Sequence, residues 1–136
     1  MSRVQLALNV TDIEEAVSFY SRLFGTEPAK RRPGYANFAV ADPPLKLVLF
    51  EHAERANALN HLGVEVESPE EVAAAQRRLR DEGVETGEEK EVSCCYAQQD
   101  KVWIRDPDGE PWEVYAVLGD APNLVADTAA GGSCCM

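Results

Sequence analysis

Residues 5 to 17 return, without a gap, at residues 61 to 73. Laying Gln5 on His61 places Leu6 on Leu62, Leu8 on Val64, Val10 on Val66, Glu14 on Glu70 and Glu15 on Glu71. A second match lies further along, where Pro44-Leu45-Lys46-Leu47-Val48-Leu49 falls on Pro111-Trp112-Glu113-Val114-Tyr115-Ala116. A chain that repeats itself in this way is built from two copies of one supersecondary unit, and that restricts its architecture more than any single motif does.

The unit can be read from its first copy. Val4, Leu6, Leu8 and Val10 alternate with a period of two, the mark of a strand with one face packed inward. Thr11 stands three residues before Glu14 as a capping box, and Ile13, Ala16, Val17, Tyr20, Leu23 and Phe24 follow at helical spacing until Gly25 stops them. Residues 35–41 and 45–50 read as strands around the turn-forming Asp42-Pro43-Pro44. A charged, helix-compatible connector from Glu51 to Leu59 leads to the second copy. There His61 opens a strand, Ser68-Pro69-Glu70-Glu71 start a helix that runs to about Glu82, and Gly83 ends it. Later strands are expected at about 84–90, 93–99, 100–105 and 111–117, with Asp106-Pro107-Asp108-Gly109 as the tight turn before the last.

The pattern predicts an α+β fold of two tandem βαβββ modules in a single domain, residues 1–118, around a central cleft where a ligand belongs. Module one covers about 1–51 and module two about 60–118. Residues 119–136, with Pro122, Ala129-Ala130 and Gly131-Gly132, lack periodicity and read as a flexible C-terminal tail.

Charge and cysteine usage exclude whole classes of function. A formal charge of -11, with only 13 Lys and Arg among 136 residues, repels phosphate backbones and anionic lipid, so neither nucleic acid nor a membrane surface is an expected partner. The first residues carry no basic segment followed by an apolar one, and no apolar run approaches the roughly 20 residues a bilayer needs, which predicts a cytoplasmic protein. The four cysteines fall in two adjacent pairs, Cys94-Cys95 and Cys134-Cys135. Neighbours on the chain close almost no loop, so reduced thiols used for binding or redox chemistry fit better than structural disulfides.

Three polar side chains converge by the symmetry of the repeat. Gln5 and His61 hold the same place in the two first strands, and Glu113 stands at the start of the last strand, with small Ala7 and Gly63 leaving room beside the first two. One imidazole, one carboxylate and one amide oxygen suit an intermediate divalent metal such as Fe(II), Mn(II) or Ni(II). The repeat partner of Glu113 is Lys46, a cation that cannot serve as a fourth ligand, so the site keeps open positions as catalytic metal sites do. A histidine hydrogen-bonded in the core and a surface carboxylate are the competing readings of His61 and Glu113. Tyr115, two residues from Glu113, reads either as a hydrogen-bonding support or as a core tyrosine.

Cys94 and Cys95 are reached through Glu88-Glu89-Lys90-Glu91, which predicts an exposed loop or a short edge strand. If the backbone turns there, both sulfurs can hold a soft centre such as trivalent arsenic or Cd(II); a vicinal disulfide and two buried small apolar residues are the alternatives. Cys134-Cys135 reads as a second capture site or as part of a dispensable tail.

The duplicated βαβββ organisation with His61 and Glu113 resembles the vicinal oxygen chelate superfamily of glyoxalases, extradiol dioxygenases and antibiotic-resistance proteins. Arg32 to Phe38, Pro44 to Leu47, Leu59 to Val64 and, most specifically, Cys94-Cys95-Tyr96-Ala97 resemble its organoarsenical carbon-arsenic lyases and cadmium-induced proteins, with the likeness running from Met1 to about Gly119. The resemblance implies a nonheme Fe(II)-dependent dioxygenase that uses O2 to cleave the carbon-arsenic bond of trivalent methyl or aromatic arsenicals, releasing arsenite. Ni(II), Co(II) or Mn(II) are implied as substitutes for iron. By position it makes His61 and Glu113 metal ligands, which Gln5 joins by the symmetry of the repeat as the third catalytic ligand, and it makes Cys94 with Cys95 the arsenic-binding pair. The chain departs from the family at Gln5, where many members carry histidine, a stronger ligand for Fe(II) than an amide oxygen.

Overall fold

In a computed structural model the described residues are 2–56, 58–94 and 96–120, and the chain divides into two units between Leu62 and Gly63. Each unit holds one helix and one set of strands.

In the first unit, β1 (Arg3–Val10) is followed by α1 (Ile13–Phe24), β2 (Lys30–Arg32), β3 (Tyr35–Val40) and β4 (Leu45–Glu51). β1 lies parallel to β4, with Gln5 opposite Lys46, and β4, β3 and β2 continue antiparallel. Both faces of β1 are covered. Leu6, Leu8 and Val10 pack with Ile13, Ala16, Val17, Tyr20 and Phe24 of α1 on a cluster of Ala36, Phe38, Val40, Leu47 and Leu49. The other face carries Gln5, Ala7 and Asn9, which are more deeply buried than the leucines.

The helix boundary at Phe24 falls where glycine dictates. Gly25 takes the left-handed conformation, φ 63°, and its N–H bonds to the Ser21 carbonyl. The start differs from the expected Thr11 box. Asp12 is the cap, its Oδ1 accepting from the Glu15 N–H at 3.1 Å, and Glu51 Oε2 accepts from the Ile13 N–H at 2.9 Å. Leu23, expected on the apolar stripe, lies with Phe19 on the solvent side. The strand β2 was not evident, because three consecutive basic residues show no alternation; such charge suits a sheet edge. Pro33-Gly34 joins it to β3, with Gly34 at φ 68°. The charged connector forms only a single 3-10 turn at Ala53–Arg55.

The strand β5 (Leu59–Glu65) ends the first unit at Leu62 and begins the second at Gly63. The second unit continues with α2 (Pro69–Asp81), β6 (Gly87–Cys94), β7 (Ala97–Arg105) and β8 (Pro111–Asp120). Ser68 caps α2 in a complete capping box with Glu71, and Gly83 follows the helix at φ 81°. The helix packs through Val72 and Ala75 on Val102, Ile104, Val114 and Ala116. The Val66 N–H bonds to the Tyr115 carbonyl at 2.8 Å, tying the end of β5 to β8.

Residues 97–99 and 100–105, expected in separate strands, form one continuous strand, β7, while residues 93 and 94, expected in the same strand as 97–99, end β6. The polar run Gln98-Gln99-Asp100 looks like a break, yet its backbone pairs on both sides, with one extra residue absorbed near Glu91 in β6 and another at Leu118 in β8. The turn at 106–109 forms as expected, with Asp106 Oδ1 accepting from the N–H groups of Asp108 and Glu110, each at 2.9 Å. β8 reaches Asp120, two residues into the segment read as a tail, and residues 121–136 lie outside the described residues.

Among the described residues no helix is long and apolar enough to cross a membrane.

Candidate active site

A polar chain runs through the buried face of the first unit. Gln5, on β1, and His61, on β5, meet through their Nε2 atoms at 3.1 Å, and both are almost fully buried. The other ring nitrogen of His61, Nδ1, lies 2.8 Å from Asn60 Oδ1. Asn60 in turn donates from Nδ2 to Asn9 Oδ1 at 3.0 Å. With the amides oriented in this way, Nδ1 donates to the Asn60 oxygen and Nε2 carries the lone pair. That lone pair accepts the Gln5 amide hydrogen. Among the described residues Asn9 Nδ2 has no hydrogen-bond partner.

This is the tautomer a metal-binding histidine adopts, with its distal nitrogen anchored by an oxygen acceptor and its proximal nitrogen presented to the ion. Gln5 presents its nitrogen in this arrangement; as a ligand it would turn its amide so that Oε1 takes that place. Lys46, opposite Gln5 on β4, is also buried.

Glu113 belongs to the second unit. It lies on β8 opposite Trp103, 2% exposed, and Lys101 Nζ sits 3.4 Å from both of its carboxylate oxygens. The Lys101 ammonium is itself wholly enclosed, 5.4 Å from the Trp103 ring centre and 5.7 Å from that of Tyr115. Tyr115 is therefore a buried tyrosine that flanks the ion pair. Trp103 donates from Nε1 to Glu89 Oε1 at 2.9 Å.

Cys94 is the last residue of β6, in register with Ala97 on β7. Ala97, Gln99, Lys101 and Trp103 alternate along one side of β7. Tyr96 lies in the turn with φ 59°. Cys95, Cys134 and Cys135 lie outside the described residues. Among the described residues no three His, Cys, Asp or Glu side chains gather as a metal cluster; the set derived from the repeat counts the amide of Gln5 as its third donor. A cavity of about 330 Å³ between α2 and β6–β7, lined by Glu70, Gln76, Glu88 and Asp100 among others, contains none of the predicted site residues.

Asn9, Asn60 and Lys101 were not singled out by the sequence. For Asn9 a signal existed: it stands four residues after Gln5, on the same strand face, so a polar line was present there.

Comparison with known proteins agrees with this architecture. Residues 3–114 match the glyoxalase/bleomycin resistance protein/dioxygenase superfamily. A trivalent organoarsenical cleaving enzyme of Thermomonospora curvata is 62% identical, the match taking in 99% of this chain and 89% of the relative. The cadmium-induced protein CadI of Mycobacterium bovis is 60% identical over 91% of this chain and 82% of its own length. A Mn(II)-bound glyoxalase from Novosphingobium aromaticivorans shares the fold with a TM-score of 0.60 at 20% identity, over 95% of this chain and 44% of that one. With its duplicated α+β modules, its family match and relatives of this identity, the chain belongs to the vicinal oxygen chelate superfamily of glyoxalases, bleomycin resistance proteins and dioxygenases, among the relatives of the organoarsenical cleaving enzymes and CadI.

Proposed function

We propose that this protein is a nonheme Fe(II)-dependent dioxygenase that cleaves the carbon-arsenic bond of trivalent organoarsenicals, methylarsenite and trivalent aromatic arsenicals, to give arsenite. The observation that carries the reading is the state of His61: a buried imidazole whose Nδ1 proton is fixed by Asn60 and whose Nε2 lone pair faces Gln5. The relative at 62% identity named for organoarsenical cleavage supplies the substrate class.

In this proposal Gln5, His61 and Glu113 hold the metal, and residues 1–118 act as one domain. The repeat supports the third ligand. Gln5 and Lys46 stand opposite each other on parallel strands, and the repeat lays Gln5 on His61 and Lys46 on Glu113. The donor set of imidazole, carboxylate and amide oxygen fits Fe(II), with Mn(II), Co(II) or Ni(II) as substitutes. Iron, when bound, supplies dioxygen activation.

The remaining work belongs to the chain. Cys94 and Cys95 capture the trivalent arsenic as thiolates, soft donors for a soft acceptor, and leave its carbon substituent exposed to attack. Asn60 keeps His61 in one tautomer and orientation, so the ligand field does not fluctuate during turnover. Fixing the substrate at one pair and the metal at another supplies the proximity and orientation on which the rate depends.

The deciding experiment incubates the reduced, Fe(II)-loaded protein with trivalent methylarsenical in air and follows arsenite. Stoichiometric loss of the methyl group with arsenite release is expected; bound iron without arsenite would remove the reading. The identity to CadI favours one alternative, a thiol-based cadmium- or arsenic-binding resistance protein without chemistry. Metal uptake by the thiols that survives His61→Ala, with no arsenite formed, would establish it.

A further inference from the structure

A buried cation already neutralises the carboxylate that the proposed metal centre needs. Lys101 is 0% exposed, and its Nζ lies equidistant, at 3.4 Å, from Glu113 Oε1 and Oε2. The Trp103 and Tyr115 rings flank the ammonium, and the Trp103 ring is itself anchored on Glu89. An ammonium removed from water must be balanced where it stands, so these groups hold it against the carboxylate.

The repeat shows that the lysine accompanies the carboxylate. Register sets Trp103 opposite Glu113 in the second unit and Ala39 opposite Lys46 in the first. With Lys46 laid on Glu113, the counterpart of Lys101 is Asn37, which donates to the Tyr35 hydroxyl at 2.9 Å. The position is neutral where the facing strand carries a cation, and cationic where it carries a carboxylate.

We propose that Lys101 is a positioning residue that competes with the divalent metal for Glu113. It holds the carboxylate in place and in charge balance before metal binds, and it weakens metal binding, because two cations then share one carboxylate. This inference rests on the metal reading given above. Its consequence is an exchangeable metal, held less tightly than the same three ligands would hold it without the lysine.

Mn(II) is the suitable probe, since as an oxygen- and nitrogen-seeking ion it avoids the thiols. The full chain, reduced and metal-free, is titrated with Mn(II) while free Mn(II) is read by electron paramagnetic resonance. Lys101→Met is expected to bind Mn(II) about tenfold tighter than the native chain or more, and Lys101→Arg, which keeps the charge, to bind within about threefold of it. Mn(II) should also raise the melting temperature of Lys101→Met more than that of the native chain. Equal or weaker Mn(II) binding by Lys101→Met overturns the inference. If that variant and Lys101→Gln are unfolded without metal, recovery of the fold on adding Mn(II) supports it, and failure to fold at saturating Mn(II) overturns it. A native chain that binds no Mn(II) removes the metal reading itself, a different failure from tight and equal binding by native and variant chains.

Discussion

His61 meets Gln5 across 56 residues of chain, Nε2 to Nε2 at 3.1 Å, while Asn60 holds the opposite side of the same ring at 2.8 Å. The second contact decides what the first can do. Replacing Asn60 by alanine frees the imidazole to exchange tautomers and to rotate, and metal affinity should fall by about 10- to 100-fold, the usual effect of losing a partner that orients a ligand. Asn60→Asp should keep the affinity, because a carboxylate also accepts from Nδ1. Mn(II) titration of the two variants checks both expectations.

Gln5 limits the strength of the proposed centre. Its amide oxygen is a poorer donor to Fe(II) than an imidazole, so Gln5→His should tighten Fe(II) binding by about tenfold or more. Competition against a chelator of known affinity, under anaerobic conditions, measures the change. Weaker binding in the variant would mean that the amide is not a ligand.

The two cysteine pairs should separate cleanly in function. Cys94→Ser or Cys95→Ser is expected to abolish arsenite release, because one thiolate cannot clamp the arsenic. The Cys134→Ser, Cys135→Ser double variant should keep most of it. Arsenite formed per enzyme in the three variants provides the comparison, and retained turnover in Cys95→Ser would show that the clamp lies elsewhere.

Fold stability should respond to the caps more than to surface charge. Ser68→Ala removes one half of a complete capping box and should cost about 1 kcal/mol. Gly25→Ala meets no atom within 4 Å, so its cost, also about 1 kcal/mol, comes only from the left-handed backbone. Glu88 and Lys90 are 3.1 Å apart, and their hydrogen bond holds the carboxyl below its ordinary value and the amine above its own. Both are bathed in solvent, so Glu88→Gln should leave the midpoint unchanged. Urea unfolding of the three variants tests the contrast.

Much of this architecture is legible in the sequence because it is enforced locally. Ser68, Pro69 and Gly83 bound α2 by the hydrogen bonds and φ angles these residue types favour, and the repeat brings Gln5 together with His61 on symmetry alone. The residues that escape notice are those whose role depends on distant partners. Asn9 and Asn60 look like solvent-facing polar residues of strands until both strand faces prove to be covered. Lys101 looks still more so, since nothing near it in the chain announces Glu113. The continuity of β7 through Gln99 is a similar case: polar residues suggest a break, while pairing on both sides with β6 and β8 supplies the backbone with partners.

The apolar layers under the two helices are unequal. Tyr20 and Phe24 of α1 pack with Phe38, Leu47 and Leu49, whereas Val72 and Ala75 of α2 pack with Val64, Val66, Val102, Ile104, Val114 and Ala116, a cluster without an aromatic ring among the described residues. Smaller side chains leave less cohesion to resist transient opening. In deuterated solvent the amides of β6 and β7 should therefore lose protection before those of β3 and β4. On this expectation the half of the molecule that carries Glu113, Lys101 and Cys94 opens before the half that carries Gln5 and His61.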